Sequence, residues 1–128
     1  MIDAVRDLLR YVRASLEQVD LGFARRQHSH HGVHRAIAAL SPGDALEIRV
    51  AERGSWELLD GAGMVVGRLA RSFKPPVGMR CLVGTVLAIV ERRGEASDPQ
   101  YRDSIRCRSW GVVVPELVFE PDQQAIGQ

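Results

Sequence analysis

The sequence predicts an α+β fold: N-terminal helices followed by a small curved antiparallel sheet or β-barrel of five to six strands. Three observations predict it. Apolar residues recur at spacings of three and four between Ile2 and Leu21, the period of an amphipathic helix. From Asp44 the pattern changes to short alternating or Val/Ile/Leu-rich runs, the period of strands. Glycine and proline separate those runs. At 128 residues the chain has the length of one domain with a single core. It divides into a helical segment and histidine-rich linker over 1–40, a barrel-like domain over 41–121 and a polar tail over 122–128.

The first helix is expected to bury Val5, Leu8, Leu9, Val12, Leu16 and Val19, with Arg6, Arg10, Arg13 and Glu17 on its other faces and Gly22 as its stop. ARRQHSHHGVHRAIAAL, residues 24–40, follows as a polar linker whose end, VHRAIAAL, reads as a short helix terminated by Pro42 and Gly43. ALEIRV at 45–50, WELLD at 56–60 and MVVGRLA at 64–70 then form a meander of three short strands. After KPPVG, the run MRCLVGTVLAIVER is a longer strand in which Gly84 marks a bulge or bend. SIRCRSWGVVVPELVFEP returns as one or two strands, interrupted at Pro115.

Composition and charge narrow the function. A hydrophobic fraction of 45% and a charged fraction of 26% exclude wholesale disorder. No apolar run reaches the ~20 residues of a membrane span, and Asp3 and Asp7 stand where a secretory signal would be apolar. A cytoplasmic location with reduced thiols is expected. The formal net charge is only +1, yet residues 68–108 carry nine cations against Glu91, Glu95, Asp98 and Asp103. Such a local excess is how an electrostatic footprint for phosphate appears, although arginines scattered around a barrel give the same count.

Candidate chemistry is sparse. No serine sits in a GxSxG setting, and neither GxGxxG nor GxxxxGK[ST] occurs, so no catalytic role and no cofactor is expected. Cys81 and Cys107 form no CxxC pair and read as small hydrophobes. His28, His30, His31 and His34 suggest a metal site, because imidazole is a common ligand. With no carboxylate or cysteine close by to complete a tetrahedral set, a helix start with exposed histidines is the simpler reading.

One stretch resembles a known family. LSPGDALEIRVAERGSWELLDGAGMVVGRLARSF is similar to the core of HIRAN domains, and WGVVVPELVFEP is similar to the C-terminal tails of some bacterial RecQ-type and related superfamily 2 helicases. The resemblance spans residues 40–121. It implies a small β-barrel attached to a helicase or nuclease that contacts nucleic acid. The Asn-Pro-Tyr-Asp type segment of that family is missing from its place, and DPQYRDSI at 98–105 comes afterwards. The family's DNA-gripping residues therefore do not transfer position by position.

The expectation is a non-catalytic nucleic-acid-binding accessory domain of a DNA helicase or repair factor, with DNA favoured over RNA. Arg68, Arg71, Lys74, Arg92, Arg93, Arg106 and Arg108 would hold phosphates, and Tyr101 or Trp110 would stack on an exposed base. Arg106 and Arg108 would share one strand face. The alternative is a protein-interaction or structural module in which the arginines only solvate the surface, while the N-terminal amphipathic helix and the apolar tail VVVPELVF dock on a partner or a second copy.

Overall fold

The computed structural model describes residues 8–94 and 108–122. Six strands form one antiparallel sheet: β1 (Arg10–Arg13), β2 (Ala45–Val50), β3 (Trp56–Leu59), β4 (Val65–Arg68), β5 (Met79–Arg93) and β6 (Ser109–Pro121). Their order across the sheet is β1-β6-β5-β2-β3-β4. One helix, α1 (Gly32–Ala38), and two 3-10 turns, Leu16–Gln18 and Ala24–Arg26, are described besides. The fold is thus mostly antiparallel sheet, and the expectation of N-terminal helices ahead of it is corrected.

The reason lies in the unpaired edge of β6. The β5–β6 hairpin runs in register from Met79–Pro121 to Arg93–Ser109, and its outer edge leaves backbone donors and acceptors that a neighbouring strand can satisfy. β1 takes that edge, pairing Arg10 with Phe119 and Arg13 with Glu116. Tyr11 and Val12 are weak helix formers but good strand formers. Val12 and Ala14 turn inward while Tyr11 and Arg13 face solvent, a period of two. Leu8 and Leu16, which a helix would bury, are 59% and 40% exposed. Residues 1–7, where the expected helix begins, lie outside the described residues.

The expected barrel is also corrected, because the sheet does not close. β1 and β4 remain its two edges. Between them only Val19 and Leu69 form an isolated bridge, flanked by backbone bonds from Asp20 N to Arg68 O and from Ala70 N to Gln18 O, both 2.8 Å. The sheet nevertheless curls. Trp56 of β3 meets Phe119 of β6 at 6.1 Å between ring centroids, and Leu58, Leu117 and Phe119 have no exposed surface. Gly84 lies between register shifts at Cys81/Val83 and Val86/Ala88, under Ile48. A Cβ there would approach Ile48 Cδ1 to 2.7 Å, so glycine lets β2 cross β5 closely. Gly111 plays the same part under α1, where a Cβ would meet Ile37 Cγ2 at 2.6 Å.

Pro115 does not interrupt β6, which runs unbroken through it. The Ala14 amide donates to the Pro115 carbonyl at 3.0 Å. In an extended strand the N–H and C=O of one residue point to the same side. The missing proline donor therefore faces the end of β1 and removes no bond from the β5–β6 hairpin.

Three exposed arginines are used to fix register. Arg13–Glu116, Arg49–Glu57 and Arg80–Glu120 are directly opposed across strands, with N–O distances of 2.9, 2.8 and 2.6 Å. Each contributes little alone, about 0.2–1 kcal/mol. Their consequence is electrostatic: these glutamates are neutralised locally by strand arginines.

Cys81 is half-buried on β5. Burial pushes its thiol up, outweighing a smaller lowering effect of the Val83 backbone, so it behaves as a small hydrophobe. Cys107 lies outside the described residues. No helix among the described residues is long and apolar enough to cross a membrane.

Candidate functional site

The seam where the sheet fails to close opens into a cleft of about 1280 Å³. Leu16 to Arg26 form one wall, the turn after β2 and the start of β3 another, the segment from Arg68 to Pro75 a third, and the outer end of the β5–β6 hairpin a fourth. Each wall brings cations: Arg25 and Arg26, then Arg53, then Arg68, Arg71 and Lys74, then Arg92 and Arg93. Glu17 and Asp20 are the only carboxylates among the described residues that line it.

Asp20 is committed to internal bonds. Its Oδ2 accepts from Arg26 and, at 3.3 and 3.1 Å, from Nε and Nη2 of Arg68, while Oδ1 accepts from Arg26 Nη1 at 3.3 Å and the Gly22 amide at 3.2 Å. The carboxylate holds two guanidiniums side by side and ties the 20–26 loop to β4. At Gly22 a Cβ would lie 2.9 Å from Arg26 Nη1 and 3.1 Å from Arg25 Nη2, so a side chain there would displace the ends of both guanidiniums. Arg68 also lies over the Phe23 ring at 5.7 Å.

The environment of Asp20 predicts a pH dependence. Burial alone pushes its carboxyl up, but the hydrogen bonds from Arg26 and Arg68, the Arg26 charge and the Gly22 amide outweigh it and hold it below its ordinary value of 3.8. A depressed folded value means that the ionised group stabilises the fold fully above about pH 4, and that this contribution is lost as pH falls through the folded value. Asp20→Asn is expected to cost about 1–3 kcal/mol at pH 7. Urea unfolding of both proteins between pH 7 and 2 should show the gap constant above about pH 5 and narrowing below pH 4. A gap independent of pH would show that the carboxylate charge contributes nothing.

Arg53, Arg71, Lys74, Arg92 and Arg93 are less engaged. Arg93 reaches Glu91 at 3.7 Å, with both side chains well exposed, a pair that contributes nothing measurable. Arg53, Arg71, Lys74 and Arg92 are exposed and have no carboxylate within ion-pair distance among the described residues.

Of the residues singled out in the sequence, Arg68, Arg71, Lys74, Arg92 and Arg93 line this one cleft. Arg108 is exposed just before β6 and outside the lining, with its carbonyl accepting from the Gly94 amide at 2.8 Å. Tyr101 and Arg106 lie outside the described residues. Trp110 is only 7% exposed, and its indole N–H donates to the Leu21 carbonyl at 2.8 Å. It anchors the 20–26 loop to β6 and has no open face for stacking.

Arg25, Arg26, Arg53 and Asp20 were not singled out from the sequence. The arginine doublet at 25–26 was visible, but its position beside β4 depends on the Val19–Leu69 bridge, a contact fifty residues apart in the chain.

The histidines do not converge. His31 precedes α1 and its Nδ1 accepts from the Val33 amide at 3.0 Å, capping the helix. His28 meets His31 edge to face at 5.7 Å, His34 Nε2 lies 3.4 Å from the Gln27 carbonyl, and His30 is exposed. Among the described residues no three His, Cys, Asp or Glu side chains are placed to hold a metal ion.

Comparison with protein-family models, with curated proteins and with solved structures finds no match to this chain.

Proposed function

We propose that this chain is a non-catalytic nucleic-acid-binding module that holds phosphates in the seam cleft, an accessory domain of the kind that serves a DNA helicase or repair factor. One observation carries the reading: eight cations from four separate segments line one cleft against two carboxylates, and one of those, Asp20, is already bound to two of the arginines. A cleft of one charge sign concentrates field lines and attracts a polyanion. A small acidic metabolite needs one or two cations, whereas a row of them around an open cleft suits repeated phosphates. The resemblance to HIRAN domains points to the same class of ligand, with DNA as the expected partner. A cytoplasmic location goes with that partner.

Fluorescence anisotropy of labelled DNA at 50, 100 and 200 mM salt tests it. If about five phosphates are neutralised, log K should fall against log salt with a slope near −4.5 on duplex DNA. Each of Arg53→Ala, Arg71→Ala and Arg92→Ala should flatten that slope by about one unit. No binding at 50 mM, or binding indifferent to salt, would overturn the reading.

A protein-interaction role is the second reading, and one observation favours it. Tyr11 on β1 and Val83 on β5 both face Val118 of β6 in register, and with Leu82 they leave an exposed apolar row across three strands. Association through that row would change little with salt, so light scattering at 50 and 500 mM salt separates it from the electrostatic cleft.

A further inference from the structure

We propose that the cleft takes the sugar–phosphate backbone of one strand of a duplex and reads no bases, an inference that rests on the nucleic-acid reading above. Its aromatic residues are already committed within the protein. Phe73 is 6% and Trp110 is 7% exposed, with the Trp110 N–H bound to the Leu21 carbonyl. Trp56 is half-buried, packed edge to face on Phe73 at 5.6 Å and tilted against Phe119. Tyr11, at 61% exposure, stands on β1 outside the cleft lining. What the cleft presents to a ligand is therefore guanidinium and ammonium groups above an apolar floor.

Proteins that hold single strands gain about 1–3 kcal/mol from each base stacked on an aromatic ring. A cleft with two buried rings and one half-buried indole already packed on Phe73 and Phe119 has little ring face to offer and depends chiefly on phosphate charge. Charge density then decides between ligands. Each phosphate contact contributes about 0.9 to the salt slope on duplex DNA but about 0.7 on a single strand. At 0.1 M salt, about five contacts of each kind differ by about 1 log unit, a duplex preference of roughly tenfold.

The test uses the full chain and three labelled ligands of equal length: a duplex, a single strand and a single strand with abasic sites throughout. Duplex binding about tenfold tighter than single-strand binding is expected, with the abasic strand within about twofold of the strand that keeps its bases. A base-bearing single strand bound as tightly as the duplex, or tenfold more tightly than the abasic strand, would overturn the inference while leaving the nucleic-acid reading standing. A tenfold loss of single-strand affinity in Tyr101→Ala would overturn it too, by identifying a base platform. Failure of all three ligands to bind at 50 mM salt would overturn both readings together.

Discussion

Truncating Phe119 to alanine is expected to destabilise the fold by about 3–5 kcal/mol, a large part of the 5–15 kcal/mol that a domain of this size has. Phe119 has no exposed surface, and its contact with Trp56 joins strands on opposite sides of the curl. It sits on β6 between Arg10 of β1 and Cys81 of β5, and its ring meets Trp56 of β3 across the interior. Trp56 in turn packs on Phe73 at 5.6 Å, so the ring chain runs from the middle of the sheet to the floor of the cleft. Removing the first ring leaves a cavity that three strands must collapse around, and the strand pairings resist that collapse. Urea unfolding at pH 7 should show the midpoint falling sharply. Any surviving folded fraction should bind DNA more weakly, because the cleft floor is loosened with the core. A loss below about 1 kcal/mol would mean that the site repacks freely and that Phe119 does not hold the curl.

How much of this was legible in the sequence depends on whether the cause was local. β2 occupies 45–50, where ALEIRV alternates, and α1 at Gly32–Ala38 overlaps most of VHRAIAAL, because both patterns arise from residues one to four apart. β1 was misread because its cause is remote. Val12 and Leu16 satisfy a helical spacing as well as Val12 and Ala14 satisfy a strand spacing, and the unpaired edge of β6 more than a hundred residues away decides between them. Closure was not legible for a related reason: five or six short strands suit a barrel or an open sheet equally, and only the strand order, with the single bridge at Val19–Leu69 between its ends, shows that the seam stays open.

The cleft follows the same division. Arg68, Arg71, Lys74, Arg92 and Arg93 stood out as flanks of strands, and strand ends bring them to the seam. Arg80 belonged to the same local excess of charge but is paired with Glu120 in register, which no count of charges could show. Arg53 lies in a turn that looked generic, yet the turn between β2 and β3 lies at the rim of the cleft.

Reversing Arg71, Lys74 and Arg92 together to glutamate is expected to lower DNA affinity by about 500-fold or more at 0.1 M salt. Each phosphate contact on duplex DNA contributes about 0.9 log unit at that concentration, so neutralising three removes about 2.7 log units, and reversal adds repulsion to that loss. The three residues come from two walls of the cleft, all are exposed, and none has an ion-pair partner among the described residues. Their reversal should therefore leave the unfolding midpoint nearly unchanged, within about 0.5 kcal/mol per site. That separates lost binding from lost folding. Arg35→Glu supplies the control, being exposed on α1 and outside the lining. It lowers the net charge without touching the cleft, so it should cost only a few-fold through the long-range field, which is screened beyond about 10 Å at 0.1 M salt. If Arg35→Glu weakens binding as much per charge as the cleft variant does, the DNA senses net charge alone and the seam is not its site. A cleft variant that binds like the wild type would move the polyanion off the seam altogether.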